Sequence, residues 1–124
     1  DGKKASLVEG TYGAQLDDRI PYDPEKDILF RKHVPSAFFG TNLNEILRGR
    51  GIENVLITGV KTNVCCRATA TDACAYNFRT YMVSDMLGTN TKQINDFHLA
   101  EMTKYFAKAL PSEEVFRRLH DGIF

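Results

Sequence analysis

Thr58-Gly59-Val60-Lys61-Thr62-Asn63-Val64-Cys65-Cys66-Arg67-Ala68-Thr69-Ala70-Thr71-Asp72-Ala73 decides how this chain folds. The apolar run Val55-Leu56-Ile57-Thr58 reads as a strand. It passes through a tight polar turn into a helix that opens on cysteine. Thr62 or Asn63 is positioned to cap that helix, which begins near Cys65 and runs to about Asn77. A thiol in a first helical turn faces unpaired backbone N–H groups and the positive end of the helix dipole, both of which favour thiolate. The same N–H groups can hold an oxyanion.

Outward from that turn, the chain alternates strand and helix, with no internal repeat and no low-complexity linker, a pattern of parallel α/β sheets. The first twenty or so residues, with Gly10, Gly13 and Pro21, show little periodicity and read as loop with room for a short strand or turn. Pro24 and Asp27 lead into a strand, Ile28-Leu29-Phe30-Arg31-Lys32. Alternation puts Ile28, Phe30 and Lys32 on one face, so that the Lys32 ammonium emerges at the carboxyl end of the strand. Thr41 can cap a helix with apolar positions Leu43, Ile46 and Leu47, and Gly51 can end it in the left-handed conformation. After the cysteine helix come a strand at Thr80-Tyr81-Met82-Val83 and a helix from Asn90 or Thr91. The latter carries Ile94, Phe97, Met102, Tyr105 and Phe106 on its buried side and stops at Leu110-Pro111. Ser112 caps a last short helix, with Glu113 and Glu114 in its first turn and Arg117 and Arg118 in its last.

With 124 residues, 43% of them hydrophobic, the chain is one domain, 1–124, able to form a core. Sixteen basic and sixteen acidic residues cancel, and no local cluster of Lys and Arg offers a nucleic-acid or anionic-membrane surface. The apolar runs fall short of the roughly 20 residues of a membrane helix, and Asp1-Gly2-Lys3-Lys4-Ala5 is followed by no apolar signal region. The chain opens on Asp1 rather than Met, which suits a trimmed, cleaved or partial polypeptide. Three cysteines, two adjacent, suit a reducing cytosol better than a disulfide framework. They lack C-x-x-C spacing and the three histidines are scattered, so neither a metal nor a dithiol redox site is expected. Cys66 lies about 100° around the helix from Cys65; it and Cys74 are read as packing residues. For Cys65 itself, burial as a small hydrophobe competes with a role as nucleophile.

The cysteine stretch resembles the signature of the isochorismatase-like cysteine hydrolases, and Arg31-Lys32-His33-Val34-Pro35-Ser36-Ala37-Phe38-Phe39-Gly40-Thr41 resembles that family's lysine motif. The likeness extends from about Glu9-Gly10-Thr11-Tyr12-Gly13-Ala14 to Leu119. Ala73-Cys74-Ala75-Tyr76-Asn77-Phe78-Arg79 is most similar to the branch that cleaves N-carbamoylsarcosine, maleamate and related small amides. The resemblance implies a Rossmann-like, doubly wound parallel sheet of strand order 3-2-1-4-5-6, of which this chain carries the C-terminal part. The first strands would then come from an N-terminal fragment or companion chain, because a parallel sheet opened along its middle exposes apolar faces and strand edges.

The resemblance further implies an Asp-Lys-Cys triad, with Cys65 as nucleophile and Lys32 stabilising thiolate and developing charge. The backbone N–H groups of Lys61 and Cys65 would form the oxyanion hole beside a cis Val60–Lys61 bond. Tyr12, His33, Phe38 and Phe39 are candidates to wall the substrate pocket, against the commoner place of aromatic residues in a core, and Lys61 would either recruit a carboxylate or extend into solvent. The triad's Asp ends a strand that this sequence does not contain. Asp72 lies two turns beyond Cys65, and Asp85 falls on the loop before a large helix, so neither is a good substitute.

These readings converge on a cytoplasmic hydrolase of a small amide or ureido compound, acting through a thioester without cofactor or metal and assembling as a homo-oligomer. Isochorismatase proper generally does without this cysteine, and nicotinamidase would need an Asp/His metal cluster in the absent region. The competing expectation is a catalytically incomplete family member serving as a structural subunit or scaffold.

Overall fold

The computed structural model describes residues 7–124; residues 1–6 of the expected N-terminal loop lie outside them. The chain divides into two compact units, Asp1–Phe30 and Arg31–Phe124. In the first, the described residues form turns and one 3-10 turn, Tyr12–Ala14. The second holds seven regular elements: α1 (Leu43–Gly49), β1 (Asn54–Val60), α2 (Arg67–Ala75), β2 (Arg79–Gly88), α3 (Lys92–Tyr105), β3 (Lys108–Leu110) and α4 (Ser112–Asp121).

The three strands form a parallel sheet in the order β1-β2-β3, with Leu56 opposite Tyr81 and Tyr81 opposite Lys108. Parallel strands need crossovers, and α2 and α3 supply them. On one face, Ile57 and Met82 pack with Cys66 and Ala70 from the α2 side, Met102 of α3, and Ala107. The small Ala70 lets α2 lie close to the sheet. Tyr81 points to the other face, where its ring meets Phe124 edge-on just past α4. A second apolar cluster joins Phe38, Ala73 and Phe78 with Leu43 and Leu47 of α1.

Several expectations need correction. Residues 28–32 form no strand: a strand is a ladder, and no neighbour among the described residues pairs with them. β3 was not expected, because three residues of Lys-Ala-Leu carry no periodicity of their own; pairing with β2 makes them a strand. Phe97 and Tyr105 of α3 are exposed rather than buried, because the helix packs on the sheet mainly through Met102 and Leu99.

The caps also differ. Ser112 is the first residue of α4 rather than its cap. Its N–H and hydroxyl both donate to the carboxylate of Asp85, which lies within β2 rather than on a loop, at 2.7 and 2.5 Å. Thr91 does cap α3, accepting from the Ile94 N–H at 3.2 Å. Gly51, at φ +67°, follows α1 in the left-handed conformation as anticipated.

Candidate active site

The carboxyl end of β1 departs from a regular strand just before the cysteines. Register with β2 shifts between Ile57 and Gly59, and Gly59 takes φ +102°, a conformation that suits glycine. The bulge re-aims the chain into the turn. The Val60–Lys61 bond is cis, as the resemblance implied. Neither Thr62 nor Asn63 caps the helix. Instead Thr62–Cys66 forms one π-helical turn that leads into α2. The Lys61 carbonyl accepts from both the Val64 and Cys66 N–H groups at 3.1 Å.

That turn sets the two neighbouring thiols apart. Cys66 is buried against the sheet, its Sγ 3.8 Å from the Thr58 carbonyl. Burial pushes the Cys66 thiol up, the neighbouring Cys65 adds to this, and Lys32 opposes it. Cys65 is half-buried, and its Sγ lies 3.6 Å from Lys32 Nζ. The lysine also donates to the Val34 carbonyl at 3.1 Å. Two positions 33 residues apart in sequence thus form one thiol–ammonium pair.

The loop that carries Lys32 is stitched onto α2, the helix that follows the Cys65 turn. Buried Ser36 donates to Asp72 Oδ2 at 2.5 Å and accepts from the Phe38 N–H. Thr69 Oγ1 accepts from the Ala37 N–H at 3.0 Å. Phe38 then inserts between Ala73 and Phe78. Asp72 and Thr69 therefore tie the loop that follows Lys32 to α2. Sequence reasoning assigned them no part; the signal available was their i and i+3 spacing on the helix face beside the Ser36 motif.

The other expected site residues are placed as follows. Lys61 and His33 are exposed. Phe39 is exposed at 71%, whereas Phe38 is 4% exposed and belongs to the core rather than to a pocket wall. Tyr12 lies in the first unit, on its 3-10 turn, and is 89% exposed. Cys74, read as a packing residue, is exposed because α2 turns it away from both apolar clusters. Asp85 is engaged at the start of α4, and the Ser112 hydroxyl, followed by the Ser112 N–H, holds its carboxyl below the usual carboxylate range. Among the described residues no group of three or more His, Cys, Asp and Glu could hold a metal ion. The arrangement can present a polarised thiol beside a fixed positive charge at a sheet's carboxyl end, where α/β folds bind their ligands.

Residues 1–114 match the family model described as isochorismatase domain. Among relatives, the chain is 31% identical over 115 residues to N-carbamoylsarcosine amidase of Arthrobacter sp, covering 92% of this chain and 43% of that protein. It is 33% identical over 101 residues to a probable inactive nicotinamidase of Arabidopsis thaliana, covering 81% and 52%. Among solved structures, an isochorismatase-like hydrolase from Alkaliphilus metalliredigens superimposes with a TM-score of 0.87 at 30% identity, over 93% of this chain and 62% of that one. The chain spans about half the length of the curated relatives it matches.

Proposed function

This chain belongs to the isochorismatase family, and from that premise we propose that it carries the nucleophilic half of a cysteine hydrolase acting on the C–N bond of a small amide or ureido compound. The contact that supports this reading is Lys32 Nζ at 3.6 Å from Cys65 Sγ. The Cys65 thiolate attacks the substrate carbonyl while Lys32 offsets the charge that develops. Backbone N–H groups of Lys61 and Cys65 hold the oxyanion. Collapse of the tetrahedral intermediate breaks the C–N bond, the thiol's proton goes to the leaving ammonia or amine, and water then releases the acid from the thioester.

A base is needed to carry that proton. Asp72 is engaged by Ser36 and Asp85 by Ser112. We assign the base to a carboxylate on a second polypeptide segment that lies along the open side of β1. That strand pairs on one side only among the described residues, and its Val60 is 72% exposed. The exposed Phe97 and Tyr105 of α3 suit an interface between copies of the assembly. No helix of the described residues is long and apolar enough to cross a membrane, and the three free cysteines suit the reducing cytosol.

The test uses native material, with whatever polypeptide accompanies the 14.0 kDa chain. Ammonia release from carbamoyl amino acids and short amic acids is expected, together with an acyl adduct on the Cys65 peptide. Both should vanish in Cys65→Ala and fall at least a hundredfold in Lys32→Ala, given what a single charge-stabilising group contributes. Turnover that survives Cys65→Ala would overturn the reading. The second reading, a subunit without catalysis, is favoured by the relative named as probably inactive. It predicts neither adduct nor ammonia even with the companion segment present.

A further inference from the structure

The turn that presents Cys65 is braced from outside by α3 and by the segment that precedes it. Thr62, fully buried, donates its hydroxyl to Asn95 Oδ1 of α3 at 2.5 Å. Thr89 donates to Asn63 Oδ1 at 2.6 Å. Just past the cysteines, Arg67 donates to Glu101 Oε2 and meets His98 Nδ1, each at 2.7 Å. Asn95, His98 and Glu101 recur every three residues, on neighbouring turns of one helix. Side-chain bonds to elements outside the turn therefore sit on both sides of Cys65.

A five-residue π turn lacks the regular ladder that makes an α-helix self-supporting. Its two possible capping side chains, Thr62 and Asn63, are both turned outward to other elements, and neither caps the helix. The backbone angle at which Cys65 meets Lys32 is then set by where α3 holds Thr62. Thr62 has no water to turn to, so its hydroxyl is tied to this one acceptor.

We propose that Asn95 is a positioning residue for Cys65: through the Thr62 hydroxyl it fixes the turn so that the thiol stays within reach of Lys32. This rests on the reading of Cys65 as nucleophile, and the three cysteines allow the two claims to be tested apart. Buried Cys66 gauges unfolding, exposed Cys74 gauges the intrinsic reactivity of a free thiol, and Cys65 gauges the site.

Each cysteine is mapped by peptide mass after brief exposure to neutral iodoacetamide or anionic iodoacetate. In the unaltered chain Cys65 should react faster than Cys74 and should prefer iodoacetate, because Lys32 attracts the anion. In Thr62→Val and in Asn95→Ala the Cys65 rate should fall about tenfold, and its preference for iodoacetate should drop to that of Cys74. The double variant should be no worse than either single one, since both remove the same bond. Thr62→Ser, which keeps the donor, should restore the preference. Should Thr62→Val unfold the chain, labelling of Cys66 reveals it, and the half-buried, helix-compatible Asn95→Ala decides. A Cys65 that keeps its rate and anion preference in Asn95→Ala overturns this proposal alone. A Cys65 no different from Cys74 in the unaltered chain overturns the nucleophile reading as well.

Discussion

β2 and the carboxyl end of β1 are neighbours in one sheet and differ in almost every physical respect. Thr80, Tyr81, Met82 and Val83 are each 6% exposed or less. Tyr81 and Met82 pair with strands on both sides, Thr80 with β1 and Val83 with β3. Thr58, Gly59 and Val60 are exposed; Thr58 falls at the bulge, and among the described residues Gly59 and Val60 pair with β2 alone. The thiol–ammonium pair follows from the second region. Burial is concentrated at the middle of the sheet, while the candidate site lies beside its more exposed end, where the chain's course is set by a few named hydrogen bonds. A site built this way can be disordered without unfolding the domain.

The largest effect should come from attacking the first region. Met82→Ala removes a side chain with no exposed surface and leaves a cavity among Ile57, Cys66 and Met102. It should cost about 2–5 kcal/mol in urea unfolding. Val60→Ala, at 72% exposure, should stay within about 0.5 kcal/mol. Equal losses would mean that β1's end is as well packed as β2, and the comparison would fail.

An intermediate effect should come from the seam between the regions. Ser36→Ala leaves Asp72 Oδ2 without its donor and the Phe38 N–H without its acceptor. A loss of about 1–2 kcal/mol is expected, since Asp72 is half-buried and water can reach part of it. The more telling readout is local. Cys65 should lose its preference for iodoacetate because the Lys32 loop is no longer pinned to α2, while Cys66 stays protected. An unchanged preference would show that Lys32 is held by its bond to the Val34 carbonyl rather than by the seam.

The same division explains what could be read from the sequence. Elements that bury a patterned face announced themselves: β1, α2 and the centre of β2 follow from runs such as Val55-Leu56-Ile57, and Cys65 and Lys32 from two motifs with a fixed order. What escaped notice is what depends on a neighbour. Residues 28–32 carry a strand's alternation without a ladder partner among the described residues, and β3 is a strand only through its partner. Ser112 was read as a local cap, yet its first N–H goes to Asp85, 27 residues upstream. Thr62 and Asn63 were read the same way, and their hydroxyl and amide reach Asn95 and Thr89 instead. Local chemistry identifies which groups need partners; only the tertiary arrangement selects the partner.

The smallest effect tests the boundary at its narrowest, between two adjacent thiols. Cys66 faces the buried region and Cys65 the open one. Burial, reinforced by the neighbouring Cys65 and opposed by Lys32, raises the Cys66 thiol above its ordinary 9.0. A raised folded-state pKa means that, once pH climbs past the ordinary value, the unfolded chain releases a proton that the folded chain keeps. Stability associated with Cys66 is therefore intact below about pH 9 and declines above it, with a slope that cannot exceed about 1.4 kcal/mol per pH unit. Over the first half unit this is at most about 0.7 kcal/mol, smaller than the losses expected for Met82→Ala and Ser36→Ala. Urea midpoints taken between pH 8 and 9.5 should fall more steeply for the unaltered chain than for Cys66→Ala, whatever the absolute cost of that substitution. Cys65→Ala should flatten the curve less, because it removes only the secondary, charge-borne part of the shift. If Cys65→Ala flattens it more, burial of Cys66 is not what sets the slope. The boundary between core and site would then run on the other side of the pair.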